Sequence, residues 1–335
     1  MRSIIIRYKN NIKKNNNLIE YFKSKNFIDI NKFKNKNNLV NINDDLNENN
    51  NIKVNNIYSN INSISSAITS NFKINKEDIN QVFSNYPLTE IFSTAKIELR
   101  PITELENKIQ YYGEWNIETN KRHGRGIQIW PDGSKYEGYF LNGFANIKGK
   151  LYNINGDIYN GEWLNDKANG HGIYHHKNNE YYDGEWLNDK QHGKGIEFWP
   201  DGSSYIGDYL KGKKNGKGVF KWFDGSYYEG DFINNKIEGK GRYIWKDKKE
   251  YIGEWKNNKM EGEGIFIWPD GRKYIGKFEN DKRDGYGEYK FKDGRIYKGN
   301  WKNGFQHGEG QFYNPKNNLW IKGIWINGKL IKDKI

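Results

Sequence analysis

The sequence predicts an all-β protein: an elongated, single-layer array of β-hairpins, an open solenoid, preceded by a disordered segment rich in Asn and Lys. Three observations predict it. All 37 glycines and all 12 tryptophans of the 335-residue chain lie beyond residue 112. Beyond that point the chain repeats itself with a 23-residue period. Within each repeat, aromatic residues and glycines recur at a spacing of two, which is the period of a strand and not of a helix.

Residues 1–75 come first, and they are low in complexity. The stretch NKFKNKNNLVNINDDLNENNNIKVNN is nearly all Asn, Lys and Ile. Such a composition buries too little apolar area to offset chain entropy, so disorder is expected. Residues 76–110 differ. Ile79, Val82 and Phe83 suggest a short helix over 76–84, and the run around Ile97 and Leu99 suggests a strand over 96–100. This lead-in is expected to cap the array.

The array itself spans residues 111–328, with 329–335 as a tail. Aligning on the Gly of Tyr-x-Gly places anchors at 113, 138, 161, 184, 207, 230, 253, 276, 299 and 323. That is about nine full repeats and a partial one. Two residues before the anchor stands Tyr in nine of ten units, and two residues after it stands an aromatic in all ten. Tyr, Gly and Trp therefore share one face of a strand, and the Gly leaves room for the rings to pack over the backbone. A second strand runs through Gly193 and Gly195 to Trp199, a column repeated at Trp130, Trp222, Trp245, Trp268 and Phe291. Asn-Asp turns join the two strands, and Asp-Gly at 132–133, 201–202, 224–225, 270–271 and 293–294 starts the next hairpin. Two strands per unit, at ~4.8 Å each, give roughly 10 Å per repeat and a rod of roughly 90–100 Å.

Composition excludes several functions. With no cysteine there is no disulfide scaffold, no cysteine nucleophile and no cysteine-ligated zinc. The net charge of +12 is spread out: 16 basic against 11 acidic groups in residues 1–110, and 38 against 31 beyond. No basic face lies free of carboxylates, so nucleic acid is not an expected partner. No apolar run reaches the ~18–20 residues of a membrane span, and the basic start MRSIIIRYKN lacks a signal-peptide core.

The repeated pattern Y-x-G-E-W-x-N-x-K-x-x-G-x-G followed by D-G resembles the MORN repeat (membrane occupation and recognition nexus). The lead-in ELRPITELENKIQYYGEW running into HGRGIQIWPDGSKYEG is similar to multi-repeat MORN proteins of protists. The resemblance implies a MORN-type open solenoid without catalysis. Departures are local: Ile147 and Leu151 flank Gly149 where Gly-x-Gly is expected, Lys248 replaces a turn Gly, and the last unit is truncated.

Nothing in the array points to chemistry. His123, His192 and His307 share one register position with Asn215, Glu238, Glu261 and Asp284, and His171 is one residue off it. A catalytic residue is needed once, not as one option in a varying column. His175 and His176 are adjacent and point to opposite faces. The recurring Gly-x-Gly has no following helix, so it is no nucleotide loop. The carboxylates that follow the anchor, Glu114, Glu162, Glu185, Asp208, Asp231 and Glu254, are expected to be a solvated surface. No catalytic, cofactor-binding or metal-binding residue is assigned, and no small-molecule substrate is expected.

Two columns remain as candidate surfaces. Lys121, Lys167, Lys190, Lys213, Lys236, Lys259 and Lys282 sit in the inter-strand turns, one about every 10 Å. Near an anionic membrane each would contribute about 1 kcal/mol; the alternative is edge protection and solubility. The aromatic columns, comprising Tyr159, Trp163, Tyr182, Trp186, Trp199, Tyr205, Trp222, Trp245, Tyr251, Trp255, Trp268, Tyr274 and Trp301, are either a groove for peptides and helices or simply the core.

The resemblance implies a scaffold that binds protein partners, with homodimerisation as an option, organising a membrane-associated or ciliary, microtubule-based structure. The expected location is cytoplasmic, at the cell cortex (the inner membrane face) or in a cilium or flagellum. The alternative is a direct phosphoinositide-binding module that uses the lysine column on anionic lipids. A third reading, the regulatory arm of a lipid kinase, ranks lower because only some ten residues follow the last repeat.

Overall fold

The computed structural model describes residues 74–87 and 92–334. The expected disorder of residues 1–75 falls outside these, except for Ile74 and Asn75. Described residues begin with one helix, α1 (Lys76–Asn85). Asn75 caps it: its side chain accepts from the Asp78 N–H, and the Asp78 carboxylate accepts from the Asn75 N–H. No described helix is long and apolar enough to cross a membrane.

A 21-stranded antiparallel sheet follows. The lead-in contributes β1 (Ile97–Glu104). The hairpins are β2 (Gln110–Asn116) with β3 (Lys121–Ile129), β4 (Lys135–Leu141) with β5 (Phe144–Tyr152), and β6 (Ile158–Leu164) with β7 (Lys167–His175). They continue with β8 (Tyr181–Leu187) and β9 (Lys190–Phe198), β10 (Ser204–Leu210) and β11 (Lys213–Lys221), β12 (Tyr227–Ile233) and β13 (Lys236–Ile244). The last are β14 (Glu250–Lys256) and β15 (Lys259–Ile267), β16 (Lys273–Glu279) and β17 (Lys282–Lys290), β18 (Ile296–Lys302) and β19 (Phe305–Asn314), β20 (Leu319–Ile326) and β21 (Lys329–Lys334). Each strand pairs with its neighbours in sequence, and among the described residues nothing pairs β1 with β21, so the sheet is open. Residues 329–334, expected as a tail, form the last strand.

Register explains the glycine pattern. Between β8 and β9, Gly184 faces Gly195, but the next pair is Glu185 with His192, so Gly193 and Lys194 are extra residues on β9. The same bulge recurs between β14 and β15, where Gly253 faces Gly264 and Glu254 faces Glu261. At the bulge, Gly193 has φ +58°, the left-handed region where only Gly is unstrained. The second glycine serves a different need. A Cβ on Gly195 would lie 2.4 Å from the Tyr182 ring, so each such glycine is the floor on which a tyrosine lies.

The hairpin turns use their residues as the sequence suggests. Asn188 and Asp189 both have positive φ, at 48° and 64°, which makes a two-residue turn matched to strand twist. Asp189 does a second job. Its backbone N–H donates to the Ala168 carbonyl and its carboxylate accepts from the Ala168 N–H, tying each turn to the preceding hairpin. The second repeat, which departs from the pattern at Ile147 and Leu151, keeps the register, with Ile147 at the bulge at φ 65°. Lys248 likewise takes φ 68° in its turn.

Candidate functional site

The face bearing the tyrosines is the front of the sheet. From Tyr111 to Tyr297 the nine tyrosines are at most 2% exposed. Burial pushes their hydroxyls upward, that of Tyr297 to about 12, so they stay protonated donors. Each hydroxyl donates to the carbonyl three residues on, as Tyr182 does to Glu185 at 2.9 Å and Tyr228 to Asp231 at 3.0 Å. Those carbonyls stand at the bulge, where the ladder has shifted. The tyrosine column therefore supplies both apolar burial and the hydrogen bond the bulge removes.

The residues two after the anchor interleave with these tyrosines. Tyr159 meets Trp163 edge-on at 5.1 Å and Trp186 of the next repeat at 5.3 Å. Tyr251 meets Trp255 and Phe278 at 5.0 Å each. Each edge-to-face pair adds about 0.5–1.5 kcal/mol beyond burial. Of the candidate aromatics, Tyr159, Tyr182, Tyr205, Tyr251, Tyr274, Trp163, Trp255 and Trp301 are buried in this stack. Trp186 is half-buried beside it.

Trp199, Trp222, Trp245 and Trp268 lie elsewhere, half-buried along the margin of the same face. There they alternate with Phe220, Tyr243, Phe266 and Tyr289, which sequence reasoning passed over. Trp199 stacks on Phe220 at 5.3 Å, Phe220 meets Trp222 at 4.5 Å, Trp222 meets Tyr243 at 5.1 Å, and Trp245 meets Phe266 at 5.3 Å. The ladder continues through Trp268, Tyr289 and Phe291 to Phe312. A usable signal existed: these rings stand two residues before the tryptophan column, on the same side of the strand. Glu197 closes one end of the ladder, accepting from the Tyr209 hydroxyl at 2.8 Å and the Lys214 ammonium at 2.7 Å, while that ammonium lies over the Trp199 ring.

The carboxylates after the anchor are more than the solvated surface expected. They lie on the back face, Glu185 and Glu254 exposed and Glu114 buried, and all but Glu254 staple a bulge. Glu185 accepts from the Lys194 N–H at 3.1 Å, Asp208 from Lys217 at 2.8 Å and Asp231 from Lys240 at 3.0 Å, while Glu114, only 5% exposed, holds both the N–H and the guanidinium of Arg125. Lysines of neighbouring bulges complete the column, with Lys194 on Asp208 and Lys217 on Asp231. Sequence spacing could not reveal this, because the register shift brings residues nine apart together.

All seven candidate lysines, Lys121, Lys167, Lys190, Lys213, Lys236, Lys259 and Lys282, are exposed and open the second strand of a hairpin. Among the described residues none of them pairs with a carboxylate. Lys236 and Lys259 donate to Asn257 and Asn280 in the following turn.

The histidines occupy unlike surroundings. His123 is buried against Phe92 at 5.3 Å. His192 and His307 each bury an Nδ1 without a partner among the described residues. His171 lies 3.0 Å from Asp183, whose carboxylate raises its pKa. Among the described residues no cluster is placed to hold a metal.

Bulged hairpins in a fixed 23-residue register, stitched turn to turn around one aromatic column, define a β-hairpin repeat protein. The MORN-repeat profile matches residues 111–135, 159–181, 182–204, 205–227, 228–249, 251–271, 274–294 and 297–318, and the chain belongs to the MORN-repeat family. The unmatched stretch between the first two blocks is the repeat carrying Ile147. MORN repeats are typically scaffolds for protein and membrane interaction, not enzymes. No curated protein matches the chain. Among solved structures, the TCP10 domain of Danio rerio CPAP in complex with a Danio rerio STIL peptide is similar over 71% of this chain and 99% of that one, at 12% identity and TM-score 0.38. The TCP domain of Drosophila melanogaster SAS-4 with a proline-rich motif of Ana2 is similar over 57% and 94%, at 15% identity and TM-score 0.30. Likenesses this distant carry no argument about function.

Proposed function

We propose that the chain is a non-catalytic, protein-interaction scaffold that organises a membrane-associated or ciliary, microtubule-based structure at the cell cortex or in a cilium. One observation carries this reading. The sheet uses its hydroxyls, carboxylates and turn amides on its own bulges and turns, and leaves an ordered, half-buried aromatic ladder from Trp199 to Phe312 along one face. Rigid aromatic rings on a repeat-built surface give large contact area at low entropic cost. The test is an affinity capture with the full chain and a Trp222→Ala/Trp245→Ala variant. A discrete cytoskeletal or cortical protein captured by the native chain and lost with the variant is the expected result. Equal capture by both would refute the assignment of the ladder.

The lysine column supports a second reading, direct binding to anionic phosphoinositide membranes. Its basis is the exposure of all seven ammonium-bearing side chains and the absence of carboxylate partners among the described residues. At about 1 kcal/mol per lysine, several in line would hold a vesicle at moderate salt and release it at high salt. Flotation of the full chain with phosphatidylinositol-phosphate vesicles tests this. No flotation at moderate salt, or undiminished flotation of a Lys190→Glu/Lys213→Glu/Lys236→Glu variant, would sink it.

A further inference from the structure

On the back of the sheet, α1 occupies a built seat. Ile79, Val82 and Phe83 stand at i, i+3 and i+4 of the helix and close over Ile127 and Ile129 of β3 and Tyr112 of β2. Val82 and Ile127 are both 0% exposed. One ionic contact orients the helix, the Lys135 ammonium on the Asp78 carboxylate of its first turn at 2.8 Å. The floor of this seat has two rows across three strands, Tyr112–Ile127–Glu137 and Gln110–Ile129–Lys135.

The chain carries that floor a second time. GIQIWPDGSKYEG at 126–138 recurs as GIFIWPDGRKYIG at 264–276, and among the aligned repeats only these two combine Ile-x-Ile with a Lys six residues on. Register places the second set identically: Ile252–Ile265–Ile275 form one row across β14, β15 and β16, and Glu250–Ile267–Lys273 the other. Ile265 takes the place of Ile127, Ile267 that of Ile129 and Lys273 that of Lys135. Glu137, a charge in the first seat, is Ile275 in the second, so the second floor is the more apolar. It is open: Ile252 is 41% and Ile275 43% exposed. The chain has one α-helix among its described residues, and that helix fills the first seat.

We infer that the β14–β16 back face is a docking seat for an amphipathic helix of a partner protein, built on the α1 pattern. That helix presents apolar residues at i, i+3 and i+4 and an acid in its first turn to meet Lys273. The second seat changes the rim of the first: Arg125, which lies over the Phe83 ring, becomes Glu263, and the aromatic Tyr139 becomes the cationic Lys277. An aliphatic face with acidic flanks toward Lys273 and Lys277 fits it better than a second α1. This extends the protein-interaction reading to the opposite face, and ladder substitutions such as Trp245→Ala leave it unaffected.

The test uses a labelled synthetic peptide of residues 74–87 carrying Phe83→Leu, which turns the α1 face aliphatic and keeps its first-turn acids, titrated into the full chain by fluorescence anisotropy. The tethered α1 fills the first seat, so binding reads the second. Saturable binding is expected, falling at least tenfold in Ile275→Asp and in Ile252→Asp. Both positions are exposed enough for the fold to persist, which circular dichroism checks. Lys273→Glu is expected to weaken binding severalfold, with recovery when the peptide carries Asp78→Lys. No saturable binding, or binding unchanged in both isoleucine variants, overturns the proposal. Sedimentation that finds a dimer of the chain abolished by Ile275→Asp also overturns it, because the occupant is then a second copy.

Discussion

Strands β2–β7 and strands β8–β20 share one tyrosine column but bury their remaining apolar surface on different faces. In the C-terminal stretch the front margin is continuous: Phe220 and Trp222, Tyr243 and Trp245, Phe266 and Trp268, Tyr289 and Phe291. In the N-terminal stretch the same positions hold Gln128 and Trp130, Leu151 and Asn153, Tyr174 and His176. The front cores separate accordingly, one from Tyr111 to Ala168 and the other from Tyr182 to Trp325. The N-terminal stretch instead covers its back, with α1 over Ile127 and Ile129, and Phe92 stacked on Tyr139 at 5.6 Å. A single-layer sheet has no opposing layer to complete its core. It must either widen its aromatic face or recruit a second layer, and this chain does one in each half.

The largest effects test what the halves share. Gly126→Ala and Gly241→Ala each drive a Cβ to within 2.5 Å of a tyrosine ring atom, Tyr111 in one and Tyr228 in the other. Each is expected to cost roughly 3 kcal/mol, read as a lowered urea midpoint. A clearly smaller loss in one half would show that its tyrosine column is not the common support. Next comes Val82→Asp, which places a carboxylate against Ile127 and costs on the order of 2–3 kcal/mol. Hydrogen exchange should then lose protection in β2–β5 and keep it in β10–β19, because repeats couple mainly to neighbours. Uniform loss would make the sheet one cooperative unit.

Trp222→Ala removes a half-buried ring from the C-terminal ladder, and about 2 kcal/mol is expected, below the cost of a fully buried ring. Ile147→Gly should act in the other direction. A β-branched residue at φ 65° is strained, so glycine there is expected to gain about 1 kcal/mol in the N-terminal half. Smallest is His171. Asp183 raises its folded pKa above the ordinary value, so the pair stabilises fully below pH ~6.5 and the gain is lost as pH rises through the folded value. With 45% of the imidazole exposed, a few tenths of a kcal/mol is the scale. NMR titration of Asp183→Asn should show the His171 pKa falling; an unchanged value would remove the carboxylate as its cause.

The strands, their order and the identity of the front face were legible because period and parity are properties of the sequence alone. The spacing of Tyr182, Gly184 and Trp186 places them on one face in any strand. The hairpin turns were legible too, since Asn188-Asp189 suits positive φ at both positions. The bulge was not. Gly193-x-Gly195 looks like one more step of two, yet it is where β9 slips by two residues against β8. That slip made the exposed Glu185 a ligand of the bulge backbone as well as surface, and it gave each tyrosine hydroxyl its acceptor.

The sequence by itself determined the repeat, its register and the recurrence of each polar residue type in columns. Local rules suffice there, because each hairpin is specified within its own 23 residues. Tertiary structure alone decided which rings are sealed and which are offered, that Trp163 is buried while Trp222 lies at the margin, and that α1 covers one isoleucine floor and leaves its twin bare. Those outcomes depend on what packs over a face, and the alternation that names a face does not say what lies across from it.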